Sequence, residues 1–195
     1  MQKEHENIVN IIKAGGVGVF PTDTIYGLVG SALNKKTVKQ IFKIRKRDKN
    51  KPMIVLVSSQ SEIKQFGVKT NNYQKKVLNK LWPGKVSVIL PCKNKIFSYL
   101  HRNSGGLAFR MPKNKNLINL LKLTGPLVAP SANIQGGKPA TNFVQAKRIF
   151  KKNIDFYYCP KKLIGKASTL IQLNKGSFDV LRQGAQKMHL PIAKI

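Results

Sequence analysis

A chain of 195 residues with 42% hydrophobic side chains is long enough to bury one full core. No apolar run approaches the ~18 residues of a membrane helix, and the polar start Met1-Gln2-Lys3-Glu4-His5-Glu6 lacks a signal peptide's apolar segment, so the expectation is a cytoplasmic protein without a membrane partner. Thirty-six Lys and Arg against seven Asp and Glu give a net charge of +29, which favours anionic partners and argues against two-metal or paired-carboxylate hydrolysis.

In chain order, residues 3–14 read as a helix with Ile8, Val9, Ile11 and Ile12 near one face, ended by Gly15-Gly16. Val17–Phe20 is a short apolar strand closed by Pro21. Thr37–Lys46 repeats Val38, Ile41, Phe42 and Arg45 at helical spacing. Met53–Val57 is a buried strand, and Ser59 with Glu62 has the spacing of a capping box opening another helix. Tyr73–Leu81 reads as a helix ending at Trp82-Pro83-Gly84. Val86–Leu90 and Leu107–Arg110 are strands, the second preceded by the turn Gly105-Gly106. Asn116–Leu123 is helical, and Gly125-Pro126 leads into the strand Leu127–Ala129. Thr141 caps a helix running to about Phe150. Three strands close the chain: Asp155–Tyr158, Thr169–Leu173 and Phe178–Leu181. Strands and helices mix irregularly, without a repeat or linker. The expected fold is therefore α/β: a single domain over 1–195, with a twisted mixed sheet flanked by helices.

Three segments concentrate chemistry: Pro21-Thr22-Asp23-Thr24-Ile25-Tyr26-Gly27-Leu28, Arg45-Lys46-Arg47-Asp48-Lys49-Asn50-Lys51-Pro52-Met53 and Pro130-Ser131-Ala132-Asn133. They offer hydroxyls, amides and cations next to strand or helix ends, where open α/β sheets bind ligands. Taken singly, each has an ordinary structural explanation. The first is a Thr/Asp turn, the second compensates a helix C-terminus, and the third is a Ser/Asn turn. Arg45 and Arg47 diverge if the helix continues and converge only if it has ended. Only six of the thirty-six cations are Arg, and Arg45, Arg47, Arg110 and Arg182 lie at these segments or at strand ends, where a planar fork suits phosphate or carboxylate.

Cys92, Cys159, His5, His101 and His189 are too scattered for a zinc site, and a disulfide is not expected in the cytoplasm. No metal is assigned to side chains. If Mg²⁺ takes part, substrate phosphates supply most of its ligands.

Taken together, the pieces PTDTIYGL, RKRDKNKPM, WPG, GGLAFRMP, VAPSAN, STLI and LRQGA, spread over residues 15–185, resemble the YrdC/Sua5 family of threonylcarbamoyl-AMP synthases. The resemblance implies a YrdC-like domain and a nucleotidyltransferase. It would join L-threonine, bicarbonate (or CO₂) and ATP into L-threonylcarbamoyl-AMP and pyrophosphate. The product would pass to threonylcarbamoyl-transferase proteins that modify adenosine 37 of tRNAs, with tRNA itself a candidate contact. Carried over residue by residue, Thr24, Arg110, Ala129 and Ser168 would line the threonine pocket. Arg47, Lys51, Gly106, Ser131, Asn133 and Arg182 would lie at ATP. Thr22 and Arg45 stand beside these sets without an assigned role. The sequence departs from the family pattern at four positions: Arg45 where the motif has Lys, Asp23 where Glu is common, Leu56 where some members have His, and Gln135 where Ser is usual. No side chain is an obvious nucleophile, acid or base, so the protein would act by positioning and by neutralising charge. The competing expectation is a basic RNA-binding module without ATP turnover. It is weakened because aromatic residues are not interleaved with the basic motifs.

Overall fold

The computed structural model describes residues 2–48, 50–174 and 177–188. The expected domain also takes in positions 1, 49, 175, 176 and 189–195, His189 among them, which lie outside the described residues.

Helix α1 (Gln2–Lys13) buries Ile8, Val9 and Ile12. Strand β1 (Gly18–Pro21) turns back at once into β2 (Tyr26–Ser31), with Pro21 opposite Tyr26. Pro21–Leu28 is thus a hairpin rather than a loop beyond a strand. Helix α2 (Lys35–Ile44) is capped by Asn34, whose side chain accepts from the N–H groups of Lys36 and Thr37. A Cβ at Gly30 would lie 2.6 Å from Thr37 Cγ2, so glycine is what lets α2 sit this close to β2. The helix stops two residues sooner than its periodicity suggests. Arg45 is its C-cap, and Lys46 takes a left-handed φ of 47°.

Strand β3 (Ile54–Leu56) leads to a 3₁₀ turn over Gln60–Phe66. The expected Ser59–Glu62 capping box does not form. Ser59 makes no side-chain cap, and Ser58 instead gives both its N–H and its hydroxyl to the Glu62 carboxylate. The capping box of this region is Asn71 with Gln74, opening α3 (Asn72–Leu81). Strand β4 (Val86–Pro91), the short helix α4 (Ser98–His101) and β5 (Gly106–Arg110) follow. Asn114 caps α5 (Lys115–Thr124), which precedes β6 (Leu127–Val128). Asn142, not Thr141, caps α6 (Phe143–Phe150), while Thr141 Oγ1 bonds Gln145. The chain continues through β7 (Phe156–Tyr157), β8 (Thr169–Leu173) and β9 (Phe178–Arg182).

The strands form one sheet in the order β7-β1-β2-β6-β3-β5-β4-β8-β9. The pairs β1/β7, β3/β5 and β4/β8 are parallel and the others antiparallel, so the sheet is mixed as expected. Side chains alternate between two faces. One face carries Val55, Val88, Phe109 and Ile171 into the larger core, where Val38 and Ile41 of α2 and Val77 and Leu78 of α3 meet them. The other face is treated unevenly. Phe20, Val29, Leu127 and Leu56 lie under α1 and α5 through Ile12, Leu117, Leu120 and Leu121. Past β3, the side chains of β5, β4 and β8 on this face have no helix over them in either core cluster. That uncovered stretch holds the site. No helix among the described residues is long and apolar enough to cross a membrane.

Candidate functional site

The hairpin turn is fixed by one hydroxyl. Thr22 Oγ1 donates to Ile25 O at 2.6 Å and accepts the N–H groups of Thr24 and Ile25 at 3.1 and 3.2 Å. Thr24 Oγ1 lies 2.9 Å from it. A hydroxyl has one hydrogen and two lone pairs; Thr22 Oγ1 spends the hydrogen on Ile25 O and the lone pairs on the N–H groups of Thr24 and Ile25, which leaves the lone pairs of Thr24 Oγ1 for another donor.

Four arginines converge beside this turn. Arg110 ends β5 and is 4% exposed. Its Nη1 donates to Asp23 Oδ1 at 2.7 Å, and the second Asp23 oxygen accepts the Lys113 N–H at 3.1 Å. Arg45 is 3% exposed. Its Nε donates to Asn133 O at 3.0 Å, and its Nη2 to Ser131 Oγ at 3.1 Å and Asn133 Oδ1 at 2.9 Å. Because Lys46 is left-handed, the chain reverses after α2 and Arg47 follows Arg45 toward the same place. Arg47 is held by the carbonyl of Pro52 at 2.8 Å. Arg182, at the end of β9, donates to Ser168 O at 2.7 Å, and Ser168 Oγ lies 2.9 Å from the buried Ser87 Oγ. A Cβ at Gly184 would fall 2.2 Å from Ala167 O, so the glycine of the LRQGA motif is what lets this segment lie on Ala167-Ser168.

The electrostatics ask for an anion. Burial, then the nearby Arg47 charge, pushes Arg45 down to about 10. Burial lowers Arg47, Arg110 and Arg182 as well, with Arg182 repelling both Arg47 and Arg110 and only Asp48 and Asp23 opposing this. All four stay charged at neutral pH. Two of their donors, Arg45 Nη1 and Arg110 Nε, are buried without a hydrogen-bond partner among the described residues. A buried unpaired donor on a charged group is costly, and a ligand oxygen would relieve it.

These groups line two adjoining cavities. The inner one, of about 100 Å³, is walled by Thr22, Thr24, Arg45, Arg47, Arg110, Ala129, Ser131, Ser168 and Arg182 among others. The outer one, of about 490 Å³, shares Arg47, Ile54 and Arg182 with it and adds Lys51, Gly106 and an apolar floor of Ala108, Ile89 and Leu170. Among the described residues, no three His, Cys, Asp or Glu side chains gather where they could hold a metal ion.

The Sua5/YciO/YrdC family model, described as telomere recombination, matches residues 10–184. The chain belongs to the Sua5/YciO/YrdC family. A Methanocaldococcus jannaschii relative is 28% identical over 199 residues, spanning 100% of this chain and 92% of its own length. The Bacillus subtilis threonylcarbamoyl-AMP synthase is 34% identical over 134 residues, 67% of this chain and 38% of that enzyme. The structure of Pyrococcus abyssi Sua5 complexed with L-threonine superposes with a TM-score of 0.87 at 27% identity, covering 94% of this chain and 55% of Sua5. The chain thus spans about half the length of that Sua5.

Within this Sua5/YciO/YrdC domain, the threonine set expected from sequence, Thr24, Arg110, Ala129 and Ser168, lies together on the inner cavity. Arg47 and Arg182 border both cavities, Ser131 only the inner one, and Lys51 and Gly106 only the outer one. Thr22 and Arg45, left without a role by the sequence, are inner-wall residues. Asn133 lines neither cavity. Its carbonyl and side chain hold Arg45, while its amide donates to Ile134 O and Gly137 O. Sequence reasoning misses Ser87 and Gln172. Each is a polar residue inside an apolar strand, in VSVIL and TLIQL, and that interruption is the signal that marks them. Cys92 and Cys159 are free thiols.

Proposed function

We propose that this chain synthesises L-threonylcarbamoyl-AMP from L-threonine, bicarbonate or CO₂, and ATP, releasing pyrophosphate, which makes it a nucleotidyltransferase. The observation that carries the reading is the pair of buried, unpartnered donors, Arg45 Nη1 and Arg110 Nε, in the wall of a small cavity that adjoins a larger cation-rimmed one. The inner cavity suits a small zwitterion. The threonine carboxylate meets Arg110, and the amino group meets the lone pairs of Thr24 Oγ1. The outer cavity suits a nucleotide whose phosphates lie among Arg47, Lys51 and Arg182. Names of relatives in the family, and a Sua5 complexed with L-threonine, support the same substrate class.

The chemistry needs no protein nucleophile. The free amine of threonine adds to CO₂: the N–C bond forms as one C=O π pair moves onto oxygen, and the amine proton leaves to solvent, giving a carbamate. A carbamate oxygen attacks the α-phosphorus. A new P–O bond forms as the bond to the outer two phosphates breaks, and pyrophosphate leaves. Negative charge grows on the phosphoryl oxygens and the leaving group. The guanidinium groups of Arg47 and Arg182 are already anchored by Pro52 O and Ser168 O, so little reorganisation is needed to meet it. Mg²⁺ would enter on the triphosphate. Asp23, the carboxylate paired to Arg110, already spends both oxygens on Arg110 and the Lys113 N–H. The adenylate would then be handed to a threonylcarbamoyl-transferase acting on tRNA. Incubation with ATP, L-threonine and isotope-labelled bicarbonate, read by mass spectrometry, should reveal a labelled threonine–AMP adduct. ATP converted to AMP without label in an adduct would reject the reaction.

A further inference from the structure

The uncovered part of the sheet face changes character in step along three strands. Residues two apart on a strand share a face and lie about 6.6 Å apart. Along β5 the face reads Arg110 then Ala108, along β4 Ser87 then Ile89, and along β8 Leu170 then Gln172, with Ser168 just before the strand. The register aligns these rows. Ile54 lies opposite Ala108, Ala108 opposite Ile89, and Ile89 opposite Gln172. Cations and hydroxyls therefore collect at one end, with a flat apolar floor beyond them. Gln172 stands at the far edge of that floor. It is exposed, it lines the outer cavity, and its side-chain amide has no hydrogen-bond partner among the described residues.

A ligand matched to this gradient is charged at one end and flat and apolar at the other, with hydrogen-bonding groups on its rim. With phosphates at Arg47 and Arg182, a base lying over Ala108, Ile89 and Leu170 brings its edge to Gln172. A glutamine amide offers a donor and an acceptor side by side. That pattern matches the N6 amino group and N7 acceptor on one edge of adenine and mismatches the O6 and N7 acceptors that guanine presents on the same edge. We infer that Gln172 reads the purine edge and sets a preference for adenine over guanine nucleotides. The inference rests on the reading of the outer cavity as the nucleotide site.

The test measures ATP and GTP binding by calorimetry for the wild-type chain and for Gln172→Ala and Gln172→Glu, with pyrophosphate release recorded separately. Gln172 is exposed on a strand whose other face packs the core, so the variants should keep the wild-type melting temperature. The wild type should bind ATP about tenfold more tightly than GTP. Gln172→Ala should bring the two within about twofold without changing the KM for L-threonine. Equal wild-type binding of ATP and GTP, or an ATP preference that survives in Gln172→Ala, would overturn the assignment while leaving the synthase intact. Absence of nucleotide binding would overturn both. Selective ATP binding without pyrophosphate release would reject the synthase and keep the reader.

Discussion

One face of one sheet is built in two ways. Over β1, β2, β6 and the end of β3, apolar side chains lie under α1 and α5 and are buried by them. Over β5, β4 and β8 the same alternation continues, yet no helix among the described residues completes it, and Arg110, Ser87 and Gln172 stand beside the apolar Ala108, Ile89 and Leu170. The first half gains stability by excluding water. The second half keeps the buried Arg110 Nε without a hydrogen-bond partner among the described residues, a cost that a ligand removes. The contrast teaches that the site occupies the place where another covering helix would sit.

Substitutions in the two halves should therefore separate function from stability. The largest effect belongs to the ligand half. Arg182→Ala should lower pyrophosphate release by about 10²–10³-fold, since it removes a prepositioned charge at the leaving group. Its melting temperature should stay near wild type, because Arg182 as a whole residue is exposed at the end of β9, although its guanidinium leans on Ser168. Equal loss of turnover and of melting temperature would erase the distinction. In the covered half, Leu120→Ala should cost about 2–3 kcal/mol in urea unfolding, as Leu120 is 2% exposed between α5 and the sheet. Turnover per folded molecule should not change.

Arg45→Lys sharpens the comparison inside the site. Lysine keeps the charge but has no fork to hold Asn133 O, Asn133 Oδ1 and Ser131 Oγ together. Turnover should drop about tenfold with a small loss of stability, whereas a simple charge requirement would leave it unchanged. The smallest effect is in pH. Arg45 is held down to about 10 by burial and by Arg47, so in the folded state it loses its proton before it would in the unfolded chain. Stability thus gains from Arg45 as pH rises through about 10, while anion binding, which needs the charged form, weakens over the same range. Calorimetry of ATP binding should show affinity falling and proton uptake appearing as pH 10 is approached. Constant affinity across that range would assign the anion to other groups.

Much of this was legible in the sequence. The α/β class follows from the alternation of short apolar runs with helical periodicity, and the convergence of PTDT, the Arg45–Lys51 stretch and PSAN follows from family resemblance. What periodicity does not reveal has local causes. Strand β2 escapes it because Gly27 and Gly30 interrupt the apolar pattern, and Gly30 is there to admit α2. The meeting of Arg45 with Arg47 depends on a left-handed Lys46, a conformation that no pattern rule assigns to lysine. Helices α2, α3, α5 and α6 use Asn34, Asn71, Asn114 and Asn142 at their N-termini; the sequence pattern favours Thr141 at the last of these, and Ser59, expected to open a helix, precedes a 3₁₀ turn without a side-chain cap. Asn133 belongs to a motif but serves as a prop, a distinction visible only once Arg45 is seen to lean on it. Ser87 and Gln172 become meaningful only when strand register puts them on the uncovered face.

The most direct measurement is ATP turnover to pyrophosphate with the purified protein, with and without L-threonine and bicarbonate. The account requires release that needs both, accompanied by a labile threonine adduct of AMP. Pyrophosphate release indifferent to threonine, or salt-sensitive RNA binding with no turnover at all, would contradict it.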